Sequence, residues 1–209
     1  LLSCIYAGMI AGPAMISYAR NNMKAKGDVP GSLLAGGKKQ WDERFNAIYK
    51  MSGPENPYVI GQQMGDLMIK SATVVKTNAQ LDVALGEIQR LKEGWKRCNV
   101  LDTGRTVNQS AAYVNQLWNM LEIAHLILKA SRLRDESRGS HYKPEFVLPR
   151  PKTARPTDDA EFMAAWKARN DRWLRNSMGT WTPEGPRVEF QELQSLKNPI
   201  LAPEPRYYD

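Results

Sequence analysis

Histidine and cysteine are scarce in this chain, with two of each among 209 residues. Cys4 and Cys98 lie far apart, and neither has a second cysteine or a histidine at ligand spacing. That excludes a disulfide framework and a zinc site, and it fits a reducing compartment. No glycine-rich phosphate loop and no serine-nucleophile motif occurs, so no catalytic set and no metal ligands are expected in these residues. A clustered basic face is missing too. Net charge is +7, yet the basic residues are interleaved with acids. Glu87, Arg90, Lys92, Glu93 and Lys96 alternate along one helix face and read as a solvated surface, so nucleic acid is not an expected partner.

Charge is also absent from the whole stretch Leu1 to Ala19, which has no initiating methionine. A membrane span or signal peptide is the first reading of such a run. Its short length, the presence of Ser3, Pro13 and Ser17, and the lack of a basic leader weigh against both. Ala7, Gly8, Ala11 and Gly12 instead put small residues on one helix side, where another backbone can approach closely. The expectation is a buried helix at the start of the C-terminal part of a longer protein.

What is present is helical. Asn22 to Lys39, with Gly27, Pro30, Gly31, Gly36 and Gly37, reads as an exposed loop, and a short helix is expected over Asp42 to Met51. Asn56 and Pro57 then supply an N-cap and a first-turn proline. Ile60, Met64, Leu67, Ser71 and Val74 recur at helical spacing. So do Leu81, Leu85, Ile88, Leu91 (or Lys92) and Trp95 after Asn78, and Val114, Leu117, Leu121, Ala124 and Leu128 after a polar connection. His125, in the middle of this third and most apolar helix, reads as a core histidine. Three amphipathic helices with short connections predict a mainly α fold, an antiparallel three-helix bundle of spectrin-repeat-like type. Beyond an exposed Pro-rich excursion from Val147, Thr157-Asp158-Asp159 caps a fourth helix expected over Ala160 to Met178. A hairpin around Pro183 to Pro186 and an extended tail follow. The segments are expected to divide as 1–52, 53–143 and 144–209.

Between the bundle and the excursion lies the densest polar motif, Glu136-Ser137-Arg138-Gly139-Ser140-His141-Tyr142. It is richer in charge than a helix stop requires, so it reads as a docking loop in which Glu136, Arg138 and His141 face a partner surface. Asp102-Thr103-Gly104-Arg105 is a second polar loop, readable as a helix cap with a salt bridge.

These two loops, with Thr73-Val74-Val75-Lys76, Leu91-Lys92-Glu93-Gly94-Trp95, Gln116-Leu117-Trp118-Asn119-Met120-Leu121 and Asn170-Asp171-Arg172-Trp173-Leu174-Arg175, occur in an order that resembles the C-terminal domain of succinate dehydrogenase and fumarate reductase flavoprotein subunits. Leu1-Leu2-Ser3-Cys4-Ile5-Tyr6-Ala7-Gly8 is similar to the helix that follows that family's flavin-proximal segment. The resemblance implies a mainly helical region behind an FAD-binding domain, with segment 1–52 as that domain's end. It implies an enzyme that interconverts succinate and fumarate with FAD. Electrons would pass to an iron–sulfur subunit that sits with a membrane anchor at the cytoplasmic face of the inner membrane. By the same match, Leu1 and, less directly, Leu2 approach FAD through their backbone, while the residues that bind the dicarboxylate lie upstream. The chain by itself is then expected to be inactive. L-aspartate oxidase shares the Ser-Arg-Gly type of loop and stays open as an alternative, as does a non-enzymatic basic helical interaction module.

Overall fold

The computed structural model describes residues 2–23, 30–193 and 204–205, and the chain divides into two compact units, Leu1–Ala47 and Ile48–Asp209. The first unit contains α1 (Leu2–Asn22) and most of α2 (Gly31–Ile48). α1 is helical as expected, but the expected burial is not met within this chain: none of its residues is buried. Burial needs an opposing surface, and the described residues supply none. α1 is also long and apolar enough to cross a membrane, by length and composition.

The loop expected over 22–39 is corrected as well, since α2 begins at Gly31 and absorbs the short helix expected from Asp42. Gly36 and Gly37 each cost a helix about 1 kcal/mol relative to alanine, which weakens it without stopping it. Leu33, Leu34 and Ala35 favour the helix, and i,i+4 pairs support it: Lys38 with Asp42 at 2.5 Å and Lys39 with Glu43 at 3.8 Å.

In the second unit, α3 (Pro57–Ala72), α4 (Asn78–Trp95) and α5 (Gln109–Leu133) form the bundle. Each start is fixed by a side chain that accepts a free backbone N–H. Asn56 Oδ1 accepts from Tyr58, Thr77 Oγ1 from Gln80 and Asn108 Oδ1 from Ala111. The core draws on all three helices: Ile60 and Met64, then Leu81, Ala84, Ile88 and Leu91, then Leu117, Leu121, Ala124 and Leu128. Fully burying each leucine or isoleucine stabilises the fold by roughly 1.5–3 kcal/mol. Backbone bridges set the directions. Glu55, before α3, pairs with Cys98, after α4, while Val75, between α3 and α4, pairs with Tyr142, after α5. Successive helices are therefore antiparallel, as the sequence predicts.

One residue of the expected solvated face turns inward. Lys92 is buried, and its ammonium meets Glu122 at 2.9 Å and lies 5.2 Å from the Trp118 ring centre. Glu87–Arg90 and Glu93–Lys96 remain exposed pairs.

Beyond the bundle, Asp159 Oδ1 accepts from Glu161 and Phe162 to start α6 (Ala160–Trp173). The fourth helix was expected to reach Met178 and does not. Arg175–Thr180 is strand β1, antiparallel to β2 (Arg187–Glu192), with Arg175 opposite Glu192 and Thr180 opposite Arg187. The cause is local and long-range together. Arg134 Nη2 and Nη1 take the carbonyls of Trp173 and Arg175 at 2.6 and 2.9 Å, which draws them out of helical bonding. Gly179 then lies so close to α5 that a Cβ there would meet Leu126 Cδ1 at 2.5 Å. The extended tail expected at the C-terminus falls almost wholly outside the described residues.

Candidate functional site

The chemistry-bearing residues of the second unit gather where α5 ends. Its last turn closes with Arg134 N–H donating to Ala130 O, after which the chain folds back on itself at Gly139, whose φ of +56° suits glycine. Arg138 and His141 exchange backbone hydrogen bonds of 2.8 and 3.1 Å across this turn. The returning strand is stitched to the α3–α4 connection by Lys76 N–H to Tyr142 O and Tyr142 N–H to Val74 O. Ser137 Oγ bonds both the carbonyl and the N–H of Lys143.

Glu136 is the centre. Its carboxylate is wholly buried, and Oε1 receives Arg134 Nε at 2.7 Å and Nη2 at 2.5 Å, while Oε2 receives Arg138 Nε at 3.0 Å. Arg138 reaches onward with Nη2 to Asn170 Oδ1 of α6 at 2.7 Å. Arg134 holds the end of α6 and the start of β1, adding Ser177 Oγ to the two carbonyls. His141 donates from Nε2 to Arg134 O at 2.9 Å, since a carbonyl can only accept. Burial pushes its pKa below the ordinary value; the Arg134 carbonyl opposes that, and nearby Lys76, Lys143 and Arg134 reinforce it.

Two lysines underpin the loop. Lys143 is fully buried and donates to Asn78 Oδ1, Asp135 Oδ1 and Arg132 O. Lys76, also buried, donates to Val74 O and Ser140 O. For Asp135, burial raises the pKa, but hydrogen bonds from Asn78 and Lys143 and the charges of Lys143 and Arg132 outweigh it, and the net direction is down.

His125 is a core histidine, as its apolar setting predicts. Its Nε2 lies 3.3 Å from Gln89 Nε2, a donor, so the ring accepts there and carries its proton on Nδ1, which has no partner among the described residues. Burial foremost, then Lys92, holds its pKa below the ordinary value; Glu122 pulls the other way and Lys129 adds a small lowering.

The second polar loop holds no salt bridge between Asp102 and Arg105. Asp102 Oδ1 accepts from Gly104 N–H, Asn108 Nδ2 binds the carbonyls of Asp102 and Gly104, and Arg105 lies 5.5 Å from the Tyr49 ring centre. Among the described residues no group of histidine, cysteine, aspartate and glutamate could hold a metal. Leu2 begins α1 and is exposed, and Leu1 lies outside the described residues.

The loop is thus a structural hub. It offers fixed guanidinium donors and no pairing of nucleophile with base. The spacing brings Glu136, Arg138 and His141 together. Arg134, Lys143, Arg169 and Asn170 complete the cluster, and the sequence gives none of them that role. The last two belong to or adjoin the Asn170–Arg175 block, which is the one signal that could have drawn attention to them.

Residues 61–208 match the family described as fumarate reductase flavoprotein C-term. The chain is 32% identical over its whole length to the succinate dehydrogenase flavoprotein subunit of Bacillus subtilis, of which it covers 32%. It is 25% identical over 95% of its length to the fumarate reductase flavoprotein subunit of Haemophilus influenzae, covering 29% of that protein. A solved E. coli quinol fumarate reductase superposes on 90% of the chain with a TM-score of 0.67 at 20% identity, and 28% of that structure is covered. The chain therefore spans about a third of the length of the curated relatives it matches. With all but the first turn of its bundle, its buried Glu136 hub and the α6–hairpin extension inside the matched range, the chain belongs to the fumarate reductase flavoprotein C-terminal family.

Proposed function

We propose that this chain is the C-terminal part of a flavoprotein subunit that interconverts succinate and fumarate and delivers electrons to an iron–sulfur partner. The observation that carries the reading is the match over the whole length of the chain to a succinate dehydrogenase flavoprotein subunit. FAD, when bound, would accept the hydride from succinate. The residues present suit a supporting position beside it. The first turn of α1 has no acidic side chain, so its free N–H groups face no local carboxylate and fit an anionic ring edge. Leu1 and Leu2 would make that approach through their backbone. Dicarboxylate binding and proton transfer belong to residues upstream.

The work of this chain is then positional. The Glu136–Tyr142 loop, with Arg138 and His141, would dock the bundle onto the flavin domain near α1. α1, apolar and uncovered here, would pack against that domain, and the iron–sulfur and membrane-anchor subunits would hold the whole at the cytoplasmic face of the inner membrane. The division 1–52, 53–143 and 144–209 would follow those roles.

The test is expression of the chain with and without its upstream residues. The longer polypeptide should bind FAD and reduce an artificial acceptor with succinate, while the chain alone should do neither. Turnover by the chain alone, or aspartate oxidation by the longer protein in place of succinate oxidation, would overturn the reading. Arg138→Ala in the intact subunit should lower stability and flavin retention and leave KM for succinate unchanged. A tenfold rise in KM with full flavin content would make Arg138 a substrate ligand.

A further inference from the structure

The Glu136 hub carries more positive charge than its single carboxylate can balance. Three guanidinium groups, those of Arg134, Arg138 and Arg169, surround it. Arg134 takes Glu136 Oε1 with two nitrogens and has three further acceptors in Trp173, Arg175 and Ser177. Arg138 takes Oε2. That leaves Arg169 with one hydrogen bond, Nη1 to Ser137 O at 3.2 Å, and no carboxylate partner among the described residues.

The donors left over sit on consecutive residues of α6. Arg169 Nε is buried and has no partner among the described residues. Asn170, only 8% exposed, holds Arg138 through its Oδ1, and its Nδ2 is likewise buried without a partner. Both atoms can only donate. Buried orphan donors are rare in folded proteins, because each forgoes the bonds that water gave it. Here two occur on consecutive residues, beside a guanidinium pair with excess charge. The Arg169 guanidinium is disfavoured by burial first and by the Arg138 charge second, and the Glu136 charge opposes them without reversing the net direction. A neutral acceptor would satisfy the donors and leave the charge. A carboxylate would satisfy both.

We infer that Arg169, Asn170 and Arg138 form a receptor for a carboxylate group, with Arg169 Nε and Asn170 Nδ2 as its buried donors and Arg138 closing one side. The carboxylate is either an aspartate or glutamate of the rest of the subunit or a small free acid. The site depends on the flavoprotein reading only for the first of these sources.

The test is side-chain ¹⁵N NMR of the 209-residue chain titrated with sodium acetate, against sodium chloride at equal ionic strength. Binding of a free acid should move the Arg169 Nε–H and Asn170 Nδ2 signals along a saturable curve with acetate and not with chloride. Arg169→Gln should abolish the Asn170 response while the circular dichroism spectrum stays unchanged. If acetate produces no saturable shift, the second arm decides. In the intact subunit, Arg169→Gln should then lower Tm by several degrees more than it does in the chain alone, and Arg169→Lys should recover part of the loss. Equal Tm changes in chain and subunit, together with no acetate response, overturn the inference. Neither arm reads turnover, so failure here leaves the succinate–fumarate assignment standing.

Discussion

Replacing Glu136 tests the energetics of the hub directly. Its side chain is 0% exposed and is bonded by Arg134, at 17%, and by Arg138, at 34%. Removing one partner of a buried ion pair costs roughly 3–5 kcal/mol, because the other charge stays buried and uncompensated. Arg138 is exposed enough for water to screen it, so its share falls toward the range of about 0–1 kcal/mol seen for surface pairs. Arg134 keeps Trp173, Arg175 and Ser177 as acceptors but loses its only countercharge. The lower end of the range therefore applies, and Glu136→Ala is expected to cost about 3 kcal/mol. Glu136→Gln preserves volume and one acceptor oxygen, and should cost about 2 kcal/mol, the worth of hydrogen bonds to a charged group. Urea denaturation of the chain, followed by tryptophan fluorescence and far-ultraviolet circular dichroism, measures both. Urea is preferable to guanidinium, which screens ion pairs. The control is Glu87→Ala, which breaks an exposed pair with Arg90 and should cost less than about 0.5 kcal/mol. A Glu136→Ala loss below about 1 kcal/mol, or one equal to the control, would refute the claim that this carboxylate organises the loop.

His125 and His141 both have pKa values held below the ordinary one, so the unfolded chain takes up their protons first as pH falls. Unfolding free energy should therefore rise with pH as it approaches the ordinary histidine value of about 6.5 from below, by at most about 1.4 kcal/mol per unit for each histidine. A flat profile, or a slope retained after both are changed to glutamine, would count against this. Burial pushes the Cys98 thiol up to about 11, with the Glu55 charge adding to it, and Cys4 is exposed. A thiol reagent near neutral pH should label one cysteine in the native chain and the second only on unfolding, as mass spectrometry of the peptides will reveal. A Cβ at Gly53 would lie 2.0 Å from the Arg97 carbonyl oxygen, whereas one at Gly86 meets nothing within 4 Å. Gly53→Ala should destabilise by about 2–3 kcal/mol, and Gly86→Ala, in mid-helix, should stabilise by about 0.5–1 kcal/mol; similar urea midpoints for the two would contradict the packing.

The bundle is legible in the sequence because its helices are specified by local spacing and by caps that lie within three residues of the groups they serve, as with Asn56, Thr77 and Asn108. Where distant residues decide, the sequence misleads. The end of α6 at Trp173 depends on Arg134, far back in the chain, and neither the composition nor the periodicity of 160–178 carries that information. Lys92 reads as solvated because its acid, Glu122, sits on another helix. Gly36 and Gly37 read as loop residues because glycine marks loops more often than it is carried through a helix. The burial expected for α1 depends on an opposing surface that the residues of α1 do not specify. In the hub, the density of charge marks Glu136 and Arg138, but Arg169 and Asn170 approach them only through the packing of α6.

The grip of Arg134 on Trp173, Arg175 and Ser177 also sets an order of assembly. Its partners lie 39 to 43 residues away in sequence, and closing a loop of that size costs about 3 kcal/mol of chain entropy before any bond forms. Neighbouring helices of the bundle close much shorter loops, so they should form first and place Glu136, which in turn aims the guanidinium. Only then does α6 with its hairpin latch on, helped by Arg138 at Asn170 and Lys129 at Pro186 O. Run backwards, the same hierarchy makes the last segment the first to open, as a cooperative unit that leaves the bundle intact. Amide protons of β1 and α6 should then exchange with solvent sooner than those in the middle of α4 and α5, and uniform exchange across all four would mean that the latch and the bundle are one.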